Sequence, residues 1–154
     1  MEIRVYQESD CEETIQLFRE TVVAITSKDY TASQISVWAG DRKIIEPTKW
    51  NQSLLANQSI VMMEKNQLVG FADMASSGYL DRLYVHKEYQ GMGIARKLVQ
   101  ELEGLVKSDR YSTHASITAR PFFERMGYRV VKENDVRLDN EVLRNYIMEK
   151  EIIR

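Results

Sequence analysis

The chain predicts an α+β domain built on a mixed, mostly antiparallel central sheet of about seven strands, flanked by helices on both faces. Residues 59–86 read as three apolar-rich runs, Ser59–Glu64, Gln67–Ala75 and Tyr79–His86, separated by turns of two and three residues. Turns that short permit only antiparallel neighbours, because a parallel pair needs a crossover of about a dozen residues or more. Tyr128–Leu138 and Leu143–Ile153 form a second hairpin around Asp139-Asn140. Helical periodicity over residues 10–25 and 94–106 supplies the covering layers.

A length of 154 residues suits one domain, 1–154, with a core of its own. Its residues are 44% hydrophobic and 29% charged, ordinary proportions for a soluble protein. The net charge of −2 argues against nucleic acid or an anionic membrane as partner. Cys11 is the sole cysteine, which rules out an internal disulfide and suits a reducing cytoplasm. Residues 1–10 lack the apolar stretch of a signal peptide, and no run of about 18 apolar residues occurs. A cytoplasmic protein is expected, and a homodimer is compatible with the sequence.

In chain order, Glu2–Gln7 alternates Ile3 and Val5 with Arg4 and Tyr6, a first strand. Asp10 is expected to cap the next helix, with Glu13 closing a capping box. Ile15, Phe18, Val22 and Ile25 recur at helical spacing and are assigned to the sheet side. Cys11 falls in the first turn, and with no His or second Cys nearby it reads as structural. Thr31 caps a short helix over Ala32–Ala39, and Asp41–Trp50 reads as loop around Pro47, with Thr48 a further helix start. Lys65-Asn66 makes the first sheet turn, with Asn66 taking the left-handed conformation, and Ser76-Ser77-Gly78 makes the second. Ile94, Leu98, Leu102, Leu105 and Val106 form one apolar stripe, and Arg96, Lys97, Gln100, Glu101 and Lys107 the solvated side. Tyr111–Ala115 is a fifth strand, and Pro121 opens a short helix that Gly127 ends.

Chemistry is concentrated between the Tyr79–His86 strand and the helix that begins near Gly91. There Gln90-Gly91-Met92-Gly93-Ile94-Ala95 leaves two positions without Cβ, where a ligand can approach the backbone closely. The helix start adds unpaired N–H groups and a positive dipole end, a site for an anion such as a pyrophosphate. A dinucleotide fingerprint needs a small residue where Arg96 stands, and glycines directly after the strand, whereas His86-Lys87-Glu88-Tyr89 intervenes. No Gly-Lys-Ser/Thr is present for a P-loop.

Leu83-Tyr84-Val85, a polar spacer, and Gln90-x-x-Gly93-x-Ala95 opening a helix resemble the Gln/Arg-x-x-Gly-x-Gly/Ala signature of the GNAT N-acetyltransferases. Residues 115–128, Ala-Ser-Ile-Thr-Ala-Arg-Pro-Phe-Phe-Glu-Arg-Met-Gly-Tyr, resemble the family's next motif. The resemblance spans about residues 60–138 and implies central strands that splay to form an acyl-CoA slot. It assigns the backbone of Leu83, Tyr84 and Val85 to the pantetheine arm of acetyl-CoA. It assigns the turn from Gln90 and Gly91 through Met92, Gly93, Ile94, Ala95 and Arg96 to the pyrophosphate. Arg96 and Lys97 either add charge there or are simply solvated. Ser116 either contacts CoA or caps the following helix. It also implies that the segment between the first helix and the second strand lids the acceptor pocket. Tyr30, Trp38 and Trp50 would then bind an apolar or cationic acceptor, the alternative being that they pack a satellite core.

Acetylating an amine requires a held thioester, a neutral amine, a proton acceptor and a thiolate leaving group. Asp81 lies near the place where some family members carry a catalytic glutamate, on the face that alternation shares with Leu83 and Val85. Asp73, on the preceding strand, is the other acidic candidate, and either is equally read as an ordinary strand or turn carboxylate. Phe123 occupies the position where many relatives carry a tyrosine that protonates the thiolate, and Tyr84, Tyr111 and Tyr128 are the substitutes. His86 and His114 read as structural strand histidines. No metal-ligand spacing, Ser-His-Asp pattern or nucleophile elbow occurs. The expected protein is an acetyl-CoA-dependent N-acetyltransferase that acts without a metal on a small-molecule amine or a protein amino group. The alternative, kept open by Phe123, is a weak or inactive CoA-binding sensor or interaction module.

Overall fold

A computed structural model of the protein describes residues 1–152. The strands are β1 (Glu2–Val5), β2 (Gln58–Glu64), β3 (Gln67–Met74), β4 (Tyr79–Val85), β5 (Arg110–Ser116), β6 (Arg129–Leu138) and β7 (Glu141–Glu151). The helices are α1 (Cys11–Ile25), α2 (Ala32–Trp38), α3 (Pro47–Ala56), α4 (Ile94–Leu105) and α5 (Arg120–Arg125). The expected end of the last strand at Ile153 lies outside the described residues.

The seven strands form one sheet in the order β1-β2-β3-β4-β5-β7-β6. Every pairing is antiparallel except β4 with β5. The central meander and the closing hairpin therefore stand as the short turns require, and α4 is the crossover that makes the one parallel pair. On one face α4 and α5 cover a cluster containing Met74, Leu98, Leu102, Phe123 and Met148. On the other, α1, α2 and α3 cover a cluster containing Phe18, Ile35, Leu54 and Phe71. Gly70 of β3 lets α4 approach: a Cβ there would lie 3.2 Å from Ile94 Cγ2 and 3.3 Å from Leu98 Cδ1.

Several expected details come out differently. Asp10 makes no side-chain cap on α1. Its carboxylate instead accepts from Arg4 Nη1 at 2.8 Å, Arg4 Nη2 at 2.9 Å and the Gln7 N–H at 2.9 Å. A short 3₁₀ turn, Glu8–Asp10, precedes α1 and points the carboxylate back at β1. The loop expected over Asp41–Trp50 ends early: α3 starts at Pro47, one residue before the helix start expected at Thr48, because Pro47 is tolerated at a first helical position and Glu46 caps it. Lys65 (φ 55°), not Asn66, takes the left-handed conformation of the β2–β3 turn. Leu105 is exposed, since α4 ends there and the extended Val106 takes the buried place instead.

Candidate active site

The parallel pairing of β4 and β5 is brief. Tyr79 faces Ser112 and Leu80 faces Thr113, and no further pair follows. On its other side β4 stays paired with β3 as far as Val85, and β5 stays paired with β7 as far as Ser116. Leu83–Val85 and Ala115–Ser116 thus border a gap in the sheet. The gap belongs to a cavity of about 660 Å³ that runs from Val22, Ile25 and Trp38 past β4 to Gly91, Gly93 and Phe123. A strand edge left open in this way presents backbone N–H and C=O groups to a peptide-like ligand.

The glycine turn closes one end. Gly91 (φ 76°) and Gly93 (φ 78°) are left-handed, a conformation that disfavours any side chain. A Cβ at either would meet no protein atom within 4 Å, so the turn is open-faced. The first bond within α4 runs from Lys97 N to Gly93 O at 3.1 Å. The N–H groups of Ile94, Ala95 and Arg96 therefore have no acceptor within the helix, and the dipole adds positive potential. This turn fits a pyrophosphate. Arg96 lines the cavity, while Met92 is 52% exposed and lies outside the wall. The Gln90 amide Nε2 donates to Val85 O at 2.6 Å, tying the turn to the end of β4.

Asp81 lies at a β-bulge. Asp73 pairs with Arg82 and Met74 with Leu80, which leaves Asp81 unopposed. Alternation breaks there, so Leu80 and Leu83 share the α4 side although three residues apart. The simple alternation that groups Asp81 with Leu83 and Val85 is therefore interrupted at this point. Asp81 lines the cavity, and its Oδ2 lies 3.4 Å from Arg82 Nη2. Arg82, which the sequence reading missed, is the hub of this region. Its Nε and Nη2 hold both oxygens of Asp73, at 3.0 and 2.8 Å, and Nη2 donates to Ser53 Oγ at 2.6 Å. Its guanidinium sits over the Trp50 ring, 4.8 Å from the centroid. Asp73 is fully buried, also accepts from Asn57 Nδ2 at 2.9 Å, and is not brought to the cavity. Burial pushes its carboxyl upward, against the opposing charge of Arg82 and the hydrogen bond from Asn57.

Of the expected acceptor residues, the structure brings only Trp38 to the cavity. Trp50 packs on Phe18 and Phe71 and donates to Thr14 Oγ1 at 3.0 Å. Tyr30 is buried edge-on to Trp38; its hydroxyl accepts from Ile117 N at 2.8 Å and donates to Arg144 O at 2.7 Å. Both therefore support the wall from behind. Ser116 borders the cavity, and its Oγ accepts from Ala119 N at 3.0 Å, a turn just ahead of α5, whose N-cap Ala119 makes no side-chain cap. Phe123 also borders it, packed against Phe122 and Tyr128.

Among the tyrosines, Tyr111 donates to the Glu103 and Val106 carbonyls and Tyr128 to Glu103 Oε2, each at 2.8 Å. Neither reaches the cavity. Tyr84 does, with its ring edge-on to Phe18 at 4.9 Å, and burial pushes its hydroxyl pKa up, so it stays protonated. Cys11 is buried with Sγ 3.6 Å from Pro47 O. Among the described residues no three His, Cys, Asp or Glu side chains are placed to hold a metal ion. No helix among them is long and apolar enough to cross a membrane. The end of α1 (Thr21, Val22, Ile25) was also missed as cavity wall; its apolar residues read as core from spacing alone.

An antiparallel sheet opened at one parallel seam, with a glycine turn at the mouth, is the architecture of an acyl-transfer enzyme of the GNAT class. The family model described as an acetyltransferase (GNAT) domain matches residues 26–151, and the chain belongs to this family. It is 36% identical over 149 residues to the uncharacterized N-acetyltransferase YafP of Escherichia coli K12, covering 96% of this chain and 94% of that one. A GCN5-related N-acetyltransferase from Rhodopseudomonas palustris superposes with a TM-score of 0.90 at 27% identity, covering 98% and 95% of the two chains. The PaiA N-acetyltransferase of Thermoplasma acidophilum, determined with coenzyme A, shares the fold at a TM-score of 0.77 and 21% identity over 98% of each chain.

Proposed function

We propose that the protein transfers the acetyl group of acetyl-CoA to an amine by direct attack within a ternary complex. The carrying observation is the open β4–β5 seam joined to an open-faced glycine turn. Bound acetyl-CoA supplies an acyl thioester whose thiolate leaves readily. The open edge of β4 at Leu83, Tyr84 and Val85 holds a pantetheine arm by main-chain hydrogen bonds. The amides from Gly91 to Arg96 hold the pyrophosphate. Asp81, in the cavity wall, takes the amine proton directly or through water. Of Tyr84, Tyr111 and Tyr128, Tyr84 lines the cavity, and the thiolate leaves without needing its proton. The acceptor enters beside Trp38, Val22 and Ile25, which favour an apolar or cationic body.

Positioning of the two reactants is the largest contribution asked of this site, worth several kcal/mol at near-attack distance. A covalent route through Cys11 is disfavoured by its burial against Pro47, away from the cavity. The single-cysteine composition supports a cytoplasmic setting. A screen of primary amines with acetyl-CoA, read by thiol release, tests the reading. At least one amine is expected to be acetylated by wild type above the enzyme-free background. Tight CoA binding with no turnover on small amines or peptide amino groups would instead favour the binding module that Phe123 leaves open.

A further inference from the structure

We propose that Thr113 and Leu80 form the back stop that limits the acyl group of the donor to a short one. The inference rests on the reading of the seam as the donor site. The seam does not fade out; it ends at a defined rung. Leu80 and Thr113 are the last paired residues, and Thr113 Oγ1 donates to Leu80 O at 2.9 Å across the join. The Thr113 side chain thus adds a bond at the point where the main-chain ladder stops. Both residues are buried, at 1% and 4% exposure, and both line the cavity. Leu80 belongs to the same buried cluster as Met74, Leu102 and Met148, none of which lines the cavity, so the lining stops at the rung. Two residues nearer the mouth, β5 carries Ala115, also on the wall, and the branched Thr113 follows it inward.

Length places the acyl end at this rung. From Val85, next to the turn that holds the phosphates, to Leu80 is five residue steps, roughly 16 Å of strand at ~3.3 Å per residue. A pantetheine arm contains two amides and about four residue-equivalents of backbone, roughly 14 Å at ~3.3–3.6 Å each. An arm anchored at the glycine turn and laid along β4 therefore brings its sulfur to the level of Asp81. The acyl carbons then meet Leu80 and Thr113. An acetyl group fits short of the rung. Each added methylene must push between two hydrogen-bonded strands, which stand only about 4.8 Å apart.

The test is calorimetric binding of acetyl-CoA, propionyl-CoA and butyryl-CoA to wild type, Thr113→Ala and Thr113→Ser, with folding checked by circular dichroism. Wild type is expected to bind butyryl-CoA at least about tenfold more weakly than acetyl-CoA, within the range that surplus methylenes cost in a closed pocket. Thr113→Ala, which removes both the rung and the branch, should shrink that ratio at least fivefold. Thr113→Ser keeps the hydroxyl rung and deletes one methyl, so it holds the fold and should shrink the ratio by a smaller amount. Equal affinity of wild type for acetyl- and butyryl-CoA overturns the back stop, as does an unchanged ratio in both folded variants. In those cases the donor site still stands, because CoA binds. Failure of folded wild type to bind any of the three thioesters overturns both.

Discussion

At the scale of single residues, the bulge in β4 decides which carboxylate can act. Asp81 and Asp73 are both acidic strand residues in the sequence, and nothing local separates them. In the fold, Asp73 is clamped by Arg82 and Asn57 with no exposed surface, whereas Asp81 borders the cavity. Asp81→Asn is expected to lower kcat/KM by about 10²-fold or more, as loss of a proton acceptor does, while leaving CoA affinity within about twofold. Steady-state kinetics over pH and calorimetry with CoA check both. An unaltered rate and pH profile would remove Asp81 as the base. Asp73→Asn acts through stability instead: it removes the two-oxygen partner of Arg82 and leaves it Asp81 at 3.4 Å and Ser53, an expected cost of about 1–3 kcal/mol by urea unfolding.

At the scale of elements, the lid separates into a lining part and a supporting part. Trp38, at the end of α2, faces the cavity, while Trp50 of α3 is wedged among Phe18, Phe71, Arg82 and Thr14. Trp50→Ala should therefore cost about 3–5 kcal/mol of stability, in the range of large aromatic truncations. Trp38→Ala should raise the KM for the acceptor and leave CoA binding nearly intact. The opposite ranking, with Trp38→Ala the more unfolding, would restore it to the core. The Arg4–Asp10 clasp ties β1 to the start of α1, and the hydrogen bonds from Arg4 hold the Asp10 carboxyl below its ordinary pKa. A depressed acid contributes stability above the unfolded pKa of about 3.9 and loses it as pH falls through the lower folded value. Asp10→Asn should thus destabilise by about 1–3 kcal/mol at neutral pH. The gap to wild type should close in acid, which thermal melts between pH 7 and pH 3 would show.

For the whole molecule, the cavity at the β4–β5 seam is lined by Leu80 and Phe123 of one cluster and by Val22 and Tyr84 of the other, so a ligand in the seam touches both. Acetyl-CoA at a hundredfold excess over its dissociation constant is expected to add about 2.7 kcal/mol to stability and raise Tm, whereas NAD should not. Gly93→Val should largely abolish the shift. It forces a branched residue into φ 78° and projects it into the space open for the phosphates. An equal Tm rise in the folded variant would remove the glycine turn as the anchor.

Much of this architecture was legible in the sequence because it rests on local rules. Short turns force antiparallel neighbours, a 3.6-residue apolar stripe makes α4, and paired glycines before a helix make an open-faced turn. The sequence by itself therefore determined the meander, the closing hairpin, the mouth of the seam and the family. What it left open depends on contacts between residues far apart in the chain. Arg82 reads as an ordinary strand cation until β3 and α3 bring Asp73, Asn57 and Ser53 to it. Tyr30 and Trp50 read either as lid aromatics or as a satellite core until their polar atoms find Ile117, Arg144 and Thr14 behind the wall. The bulge at Asp81 breaks a period of two that no local pattern signals, because one extra residue is absorbed only when β3 is laid beside β4. Side-chain alternation is a property of one strand, and the direction of a side chain at a bulge is a property of two.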